Sequence, residues 1–97
     1  MPVLFIVEAP SATTELYEKI SQRMNQETQP PERLFQAAAP ADGQGMIFVE
    51  VWESEQARER WVEKLDPVVE ELGGFTQMPR IKKYTIYDMD SAKSAAR

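Results

Sequence analysis

The tetrapeptide IFVE at residues 47–50, with Ser54 after it, repeats a pattern first seen in LFIV at residues 4–7, with Ser11 after it. Each short apolar run is typical of a strand and leads into an amphipathic stretch that carries a Glu–Lys pair. A strand–helix unit used twice, with a further strand after each copy, predicts the order β-α-β-β-α-β. The predicted fold class is therefore α+β and ferredoxin-like, a four-stranded antiparallel sheet with two helices on one face.

The boundaries of these elements follow from turn residues and helix caps. Ser11 or Thr13 can cap the first helix, and Ser54 can cap the second. Within the second helix, Pro67 follows Asp66, which can act as a fresh N-cap, so we expect a kinked helix in two pieces. The predicted strands are residues 3–9, 33–39, 46–53 and 81–87.

Composition limits the functions that this chain can carry. It has 97 residues, a formal net charge of −5, and neither His nor Cys. These absences exclude a His-based triad, a thiolate nucleophile and iron–sulfur ligation, so we expect no metal and no cofactor. The acidic balance disfavours nucleic acid, and no apolar run is long enough to cross a membrane.

The length and the sequence also predict the domain organisation and the location of the protein. We expect one domain over residues 1–90, a flexible tail at residues 91–97, and a cytoplasmic location without a signal peptide.

The third strand predicts a second copy of the chain as a partner. It is apolar on both sides, with Ile47, Val49 and Val51 on one and Met46, Phe48 and Trp52 on the other. Two helices cover only one face of the sheet, and monomers rarely expose a large apolar patch. We expect Phe48, Trp52 and Phe5 to lie on the uncovered face and a homodimer to form through that face.

The region from Val49 to Ala57, continued by Arg60-Trp61 and by residues 65–68, resembles the dimeric α+β barrel superfamily. This group includes the antibiotic-biosynthesis monooxygenases. The resemblance implies sheet-to-sheet dimers and a pocket between sheet and helices. It also implies at most a cofactor-independent, monooxygenase-like oxidoreductase that positions an electron-rich aromatic substrate. The haem-degrading members of the group rely on a His that this chain lacks.

Glu50 is the candidate catalytic residue because it lies on an aromatic strand face. Burial beside Phe48 and Trp52 would raise the pKa of Glu50 and suit a general base. The alternative is an ion pair across the dimer with a basic residue, for which the candidates are Arg33, Lys82 and Lys83.

The candidate ligand-binding residues are aromatic. Trp52 and Trp61 can line a pocket for a planar molecule, and Tyr84 can offer a hydroxyl. Phe5 and Phe48 complete the predicted border. The alternative for each is simple core packing. Charged residues of the second helix, including Arg58, are expected on its solvated face.

A purely structural or partner-binding dimer stays open at this point, and so do two other classes of protein. Removal of Met1 would expose Pro2 as a secondary amine, and the first strand then resembles the tautomerase superfamily, which uses such a proline as a base. Residues 44–51 also partly resemble the central strand motif of RNA-recognition domains, but they lack the basic and stacking residues of that motif.

Overall fold

The computed structural model describes residues 1–24, 30–42 and 44–90 and has the predicted order of elements. The strands and helices are β1 Val3–Ala9, α1 Thr14–Met24, β2 Arg33–Pro40, β3 Met46–Trp52, α2 Glu55–Glu71 and β4 Arg80–Thr85. The predicted tail at residues 91–97 lies outside the described residues.

The four strands form one antiparallel sheet in the order β2-β3-β1-β4. In this register Phe5 of β1 lies opposite Glu50 of β3, and Glu50 lies opposite Gln36 of β2. Because paired residues point to the same side of a sheet, these three side chains form one row. An irregularity between Arg33 and Phe35 shifts the start of β2.

Both helices begin at side-chain caps. The Oγ of Ser54 accepts a hydrogen bond from the Ala57 amide at 3.1 Å, as predicted. The first helix uses Thr13, whose Oγ1 accepts from the Leu16 amide at 3.0 Å. Neither helix in the described part of the chain is long and apolar enough to cross a membrane.

The second helix is not divided into the two pieces that the sequence predicted. α2 runs as one helix from Glu55 to Glu71 with Pro67 inside it. Pro67 has no amide hydrogen and removes one helical hydrogen bond. Its neighbours Leu65 and Val69 line the space beneath the helix on either side of it, so packing of this face against the sheet offsets the loss.

The assignment of the two sheet faces is also corrected. Phe5 and Trp52 are buried in one core cluster with Ala57 of α2, which places their side of the sheet under the helices. The uncovered face carries the other set of alternating residues: Leu4, Ile6, Phe35, Val49, Val51 and Tyr84. The uncovered face is therefore still largely apolar, although its apolar residues are not the predicted ones.

Candidate functional site

A cavity of about 180 Å³ lies between the helices and the covered face of the sheet. A cavity of about 150 Å³ is large enough for benzene, so this one has room for a small aromatic molecule. Most of its wall is apolar and includes Val7, Ile20, Phe48, Trp61, Val69 and Phe75.

Aromatic rings from two layers meet in the cavity wall. Tyr17 of α1 packs against Phe48 of β3, with ring centroids 5.6 Å apart and the rings tilted. Trp61 of α2 continues the wall and lies 6.4 Å from Trp52. The wall therefore offers flat apolar surfaces to a planar ligand.

Glu50 is a buried carboxylate in the wall of this cavity, with only 8% of the residue exposed. Its Oε1 accepts hydrogen bonds from the Trp52 indole Nε1 at 2.8 Å and from the Arg58 Nε at 2.9 Å. No described residue donates a hydrogen bond to Oε2. One carboxylate oxygen is thus fixed by two donors, and the other is left for a ligand.

Arg58 was expected in solvent, and this expectation is wrong. Its side chain is only 16% exposed, it lines the cavity, and its guanidinium carbon lies 4.7 Å from the centre of the Phe5 ring. The spacing in the sequence indicates the position of Arg58 in the cavity wall, because Arg58 precedes Trp61 by three residues and Leu65 by seven. That spacing places all three on one side of a helix.

Arg33 brings a second guanidinium to the same cavity. It is 5% exposed and lies 5.3 Å from the centre of the Trp61 ring and 5.8 Å from that of Trp52. Burial lowers the pKa of Arg33 below its ordinary value, and the charges of Glu50 and Tyr17 oppose the change.

The remaining basic residues that the sequence suggested as partners of Glu50 lie elsewhere. Lys83 pairs with Glu55, and Lys82 is on the uncovered face. Glu50 is therefore paired within its own chain, by Arg58.

The structure brings together only some of the predicted ligand-binding residues. Phe48, Trp61 and Glu50 line the cavity. Phe5 and Trp52 are buried in the core cluster next to it.

Tyr84 is 52% exposed on the uncovered face, because its position on β4 pairs it with Leu4. Sequence reasoning did not place Tyr17, Gln36 and Arg58 at a site, although all three line the cavity. It named Arg33 only as a possible partner of Glu50. Within residues 1–24, 30–42 and 44–90, no three carboxylates form a group that could hold a metal ion.

Comparison with solved structures shows the fold of a known group. SnoaB, a cofactor-independent oxygenase from Streptomyces nogalater, is 12% identical with a TM-score of 0.65, over 91% of this chain and 95% of that one. The monooxygenase from the gene ActVA-Orf6 of Streptomyces coelicolor, solved with the ligand Nanaomycin D, is 20% identical with a TM-score of 0.62. That match covers 92% of this chain and 90% of the other.

Rv0793 from Mycobacterium tuberculosis gives a TM-score of 0.67 at 13% identity, over 94% of this chain and 100% of that one. The sequence matches no family pattern and no curated protein sequence. The chain thus has the ferredoxin-like fold of the antibiotic-biosynthesis-monooxygenase group, and the resemblance predicted from residues 49–57 is confirmed at the level of the fold. The tautomerase alternative is not favoured, and Pro2 does not line the cavity.

Proposed function

We propose that this protein binds a small aromatic molecule in the cavity between its helices and its sheet. The observation that carries the proposal is a cavity of about 180 Å³ whose aromatic wall, with Phe48 and Trp61, includes the buried carboxylate of Glu50. Ligand sites of this kind are largely apolar, with a few placed polar groups that fix the orientation of the ligand.

We further propose that the bound molecule is oxidised by dioxygen without a cofactor. The support is the shared fold with SnoaB, a cofactor-independent oxygenase, and with the ActVA-Orf6 monooxygenase. In the proposed reaction a hydroxy-aromatic compound with a free ring C–H reacts with O₂ to give a quinone and water. One oxygen atom becomes the new carbonyl, and the other leaves as water with the hydroxyl and ring hydrogens. The ring loses four electrons, and O₂ gains four.

Glu50 has a defined part in this proposal. Its Oε1 is held by Trp52 and Arg58, so Oε2 is the atom that would accept the proton of the substrate hydroxyl. Removal of that proton makes the ring electron-rich, which favours electron transfer to O₂. Tight positioning by the aromatic wall would supply the rest of the rate increase.

The experiment measures binding and turnover separately. Naphthol is titrated by calorimetry, and oxygen uptake with formation of naphthoquinone is followed in the same buffer. Glu50→Gln should keep the affinity within about threefold and lower turnover by roughly a hundredfold or more, the usual contribution of a general base. Glu53→Gln is the matched control, because Glu53 is exposed just beyond the same strand. Turnover by Glu50→Gln at the wild-type rate would contradict the role of Glu50, and absence of binding would contradict the ligand proposal.

We also propose a homodimer formed through the uncovered sheet face. Its support is the partly exposed apolar pair of Ile6 and Val49 with the half-exposed Phe35 at the edge, since sheets of this kind pack face to face in pairs. Val49→Glu would place a charge at the centre of this face and should give a monomer in sedimentation or light scattering. Lys64→Glu on α2, away from the face, is the control. A wild-type monomer would refute the proposal. A cytoplasmic location stays a prediction.

A further inference from the structure

We propose that Arg58 forms an oxyanion subsite at the polar end of the cavity, so that the preferred ligand carries an ionised oxygen on or beside its aromatic ring. This inference rests on the proposed binding of an aromatic molecule and names its chemical class. It concerns a residue that binds the ligand directly, which is a different role from that of Glu50.

Arg58 uses only one of its N–H donors within the described part of the chain. A guanidinium has five N–H groups in one plane. Arg58 spends its single Nε hydrogen on Glu50 Oε1, at 2.9 Å. Neither Nη atom donates a hydrogen bond to any described residue. Arg58 lines the cavity, so these four N–H groups are available there to a ligand.

Arg58 is held in place before any ligand arrives. Its guanidinium lies over the Phe5 ring at 4.7 Å, a distance suited to a cation–π contact. Its backbone belongs to the first turn of α2, which the Ser54 side chain caps. A cation fixed on two sides loses little further freedom on binding, and such preorganisation raises affinity.

The charges of the cavity wall also favour an anionic ligand. Glu50 is the buried carboxylate of this wall, and it faces two guanidinium groups, those of Arg58 and Arg33. Asp66 also lines the cavity but is exposed to solvent, where its charge is screened. Since Glu50 Oε1 takes only the Nε hydrogen of Arg58, an anionic ligand would be attracted by the partly buried Arg58 guanidinium through its remaining N–H groups.

The shape of the free donors narrows the chemistry. The two Nη groups point in parallel and match the two oxygens of a carboxylate, or a phenolate with an oxygen next to it. The apolar remainder of the wall, such as Phe48 and Val69, suits the ring that carries these oxygens. A neutral aromatic molecule of the same size would leave the Nη groups without a partner.

Calorimetry with benzoate and its neutral analogue benzamide tests the inference at neutral pH. The wild-type protein should bind benzoate about tenfold more tightly, as expected for hydrogen bonds to a charged group. Arg58→Gln should abolish that preference while the affinity for benzamide stays within about twofold. Arg60→Gln removes the same charge from the exposed face of α2 and should keep the preference.

Equal affinity of the wild-type protein for both probes would refute the subsite, as would an Arg58→Gln variant that still prefers benzoate. If Arg58→Gln does not fold, the double variant Glu50→Gln/Arg58→Gln, which replaces the ion pair with two neutral amides, is used in its place. It is compared with Glu50→Gln. Only the double variant should lack the preference for benzoate over benzamide. Failure to bind either probe or naphthol contradicts the proposed function itself. Benzamide binding without a benzoate preference contradicts only the subsite.

A further titration distinguishes a carboxylate from a phenolate as the ionised group that the subsite accepts. Naphthol is measured at neutral pH and again at a pH above its own ionisation. A rise of about tenfold in its affinity, absent in Arg58→Gln, would identify a phenolate as an acceptable ligand. An unchanged affinity together with a benzoate preference would restrict the subsite to carboxylates.

Discussion

Removal of the Arg58 charge should destabilise the protein far more than removal of a surface charge. Glu50 keeps the hydrogen bond from Trp52 and the attraction of Arg33 but would lose its hydrogen-bonded cationic partner while only 8% of the residue is exposed. Breaking a buried ion pair by removing one partner costs about 3–5 kcal/mol. Because Trp52 still donates to Oε1 and Arg33 remains nearby, we expect Arg58→Met to lie at the low end of this range, at about 3 kcal/mol.

The size of this effect can be checked against an internal comparison. Arg60 pairs with Glu32 at 3.8 Å, and both side chains are well exposed. Exposed pairs contribute about 0–1 kcal/mol, so Arg60→Met should cost less than about 1 kcal/mol. For a chain of this length, a loss of about 3 kcal/mol corresponds to a fall in melting temperature of roughly 15 °C.

Urea unfolding followed by tryptophan fluorescence measures these free energies at one fixed protein concentration. A double-mutant cycle then isolates the pair. In Glu50→Gln/Arg58→Met no buried carboxylate is left without its cation, so the double variant should be more stable than Arg58→Met by about 2 kcal/mol. If Arg58→Met loses no more than Arg60→Met, the burial of this ion pair has been misjudged and the reasoning fails.

Two further predictions concern the backbone. Pro67→Ala should stabilise the protein by about 1–3 kcal/mol in the same urea assay, because alanine restores the missing helical hydrogen bond at an exposed position. An unchanged or lower urea midpoint would mean that the helix accommodates proline without loss of stability. Gly45→Ala should destabilise the protein by more than about 1 kcal/mol, because φ of Gly45 is +89° and a Cβ there would lie 2.6 Å from the Ala9 carbonyl oxygen. A urea midpoint equal to that of the wild-type protein would contradict this prediction.

The order of elements was predictable because each strand and helix has its own local signal. Hydrophobic period, the Ser54 cap and the glycines after α2 act within a few residues, and tertiary packing did not override them. The continuity of α2 through Pro67 was not predictable in this way, since it depends on the packing of the whole helix against the sheet.

The choice of covered face could not be read from alternation alone. A strand that is apolar on both sides fits either assignment equally well. The deciding information is a long-range contact, the ion pair between Glu50 of β3 and Arg58 of α2. Phe5 lies opposite Glu50 in the sheet and is placed under the helices by the same contact.

The buried charges of the cavity wall are difficult to explain by stability alone. Arg33, Glu50 and Arg58 lie where apolar side chains of similar volume would pack without a desolvation cost. Buried ion pairs of this kind often contribute no more to stability than such apolar replacements. They do, however, place an acceptor oxygen on Glu50 and a set of free donors on Arg58 at one end of an aromatic cavity. That placement is what the binding of an oriented, oxygen-bearing ring requires, and a wall built only for packing would not need it.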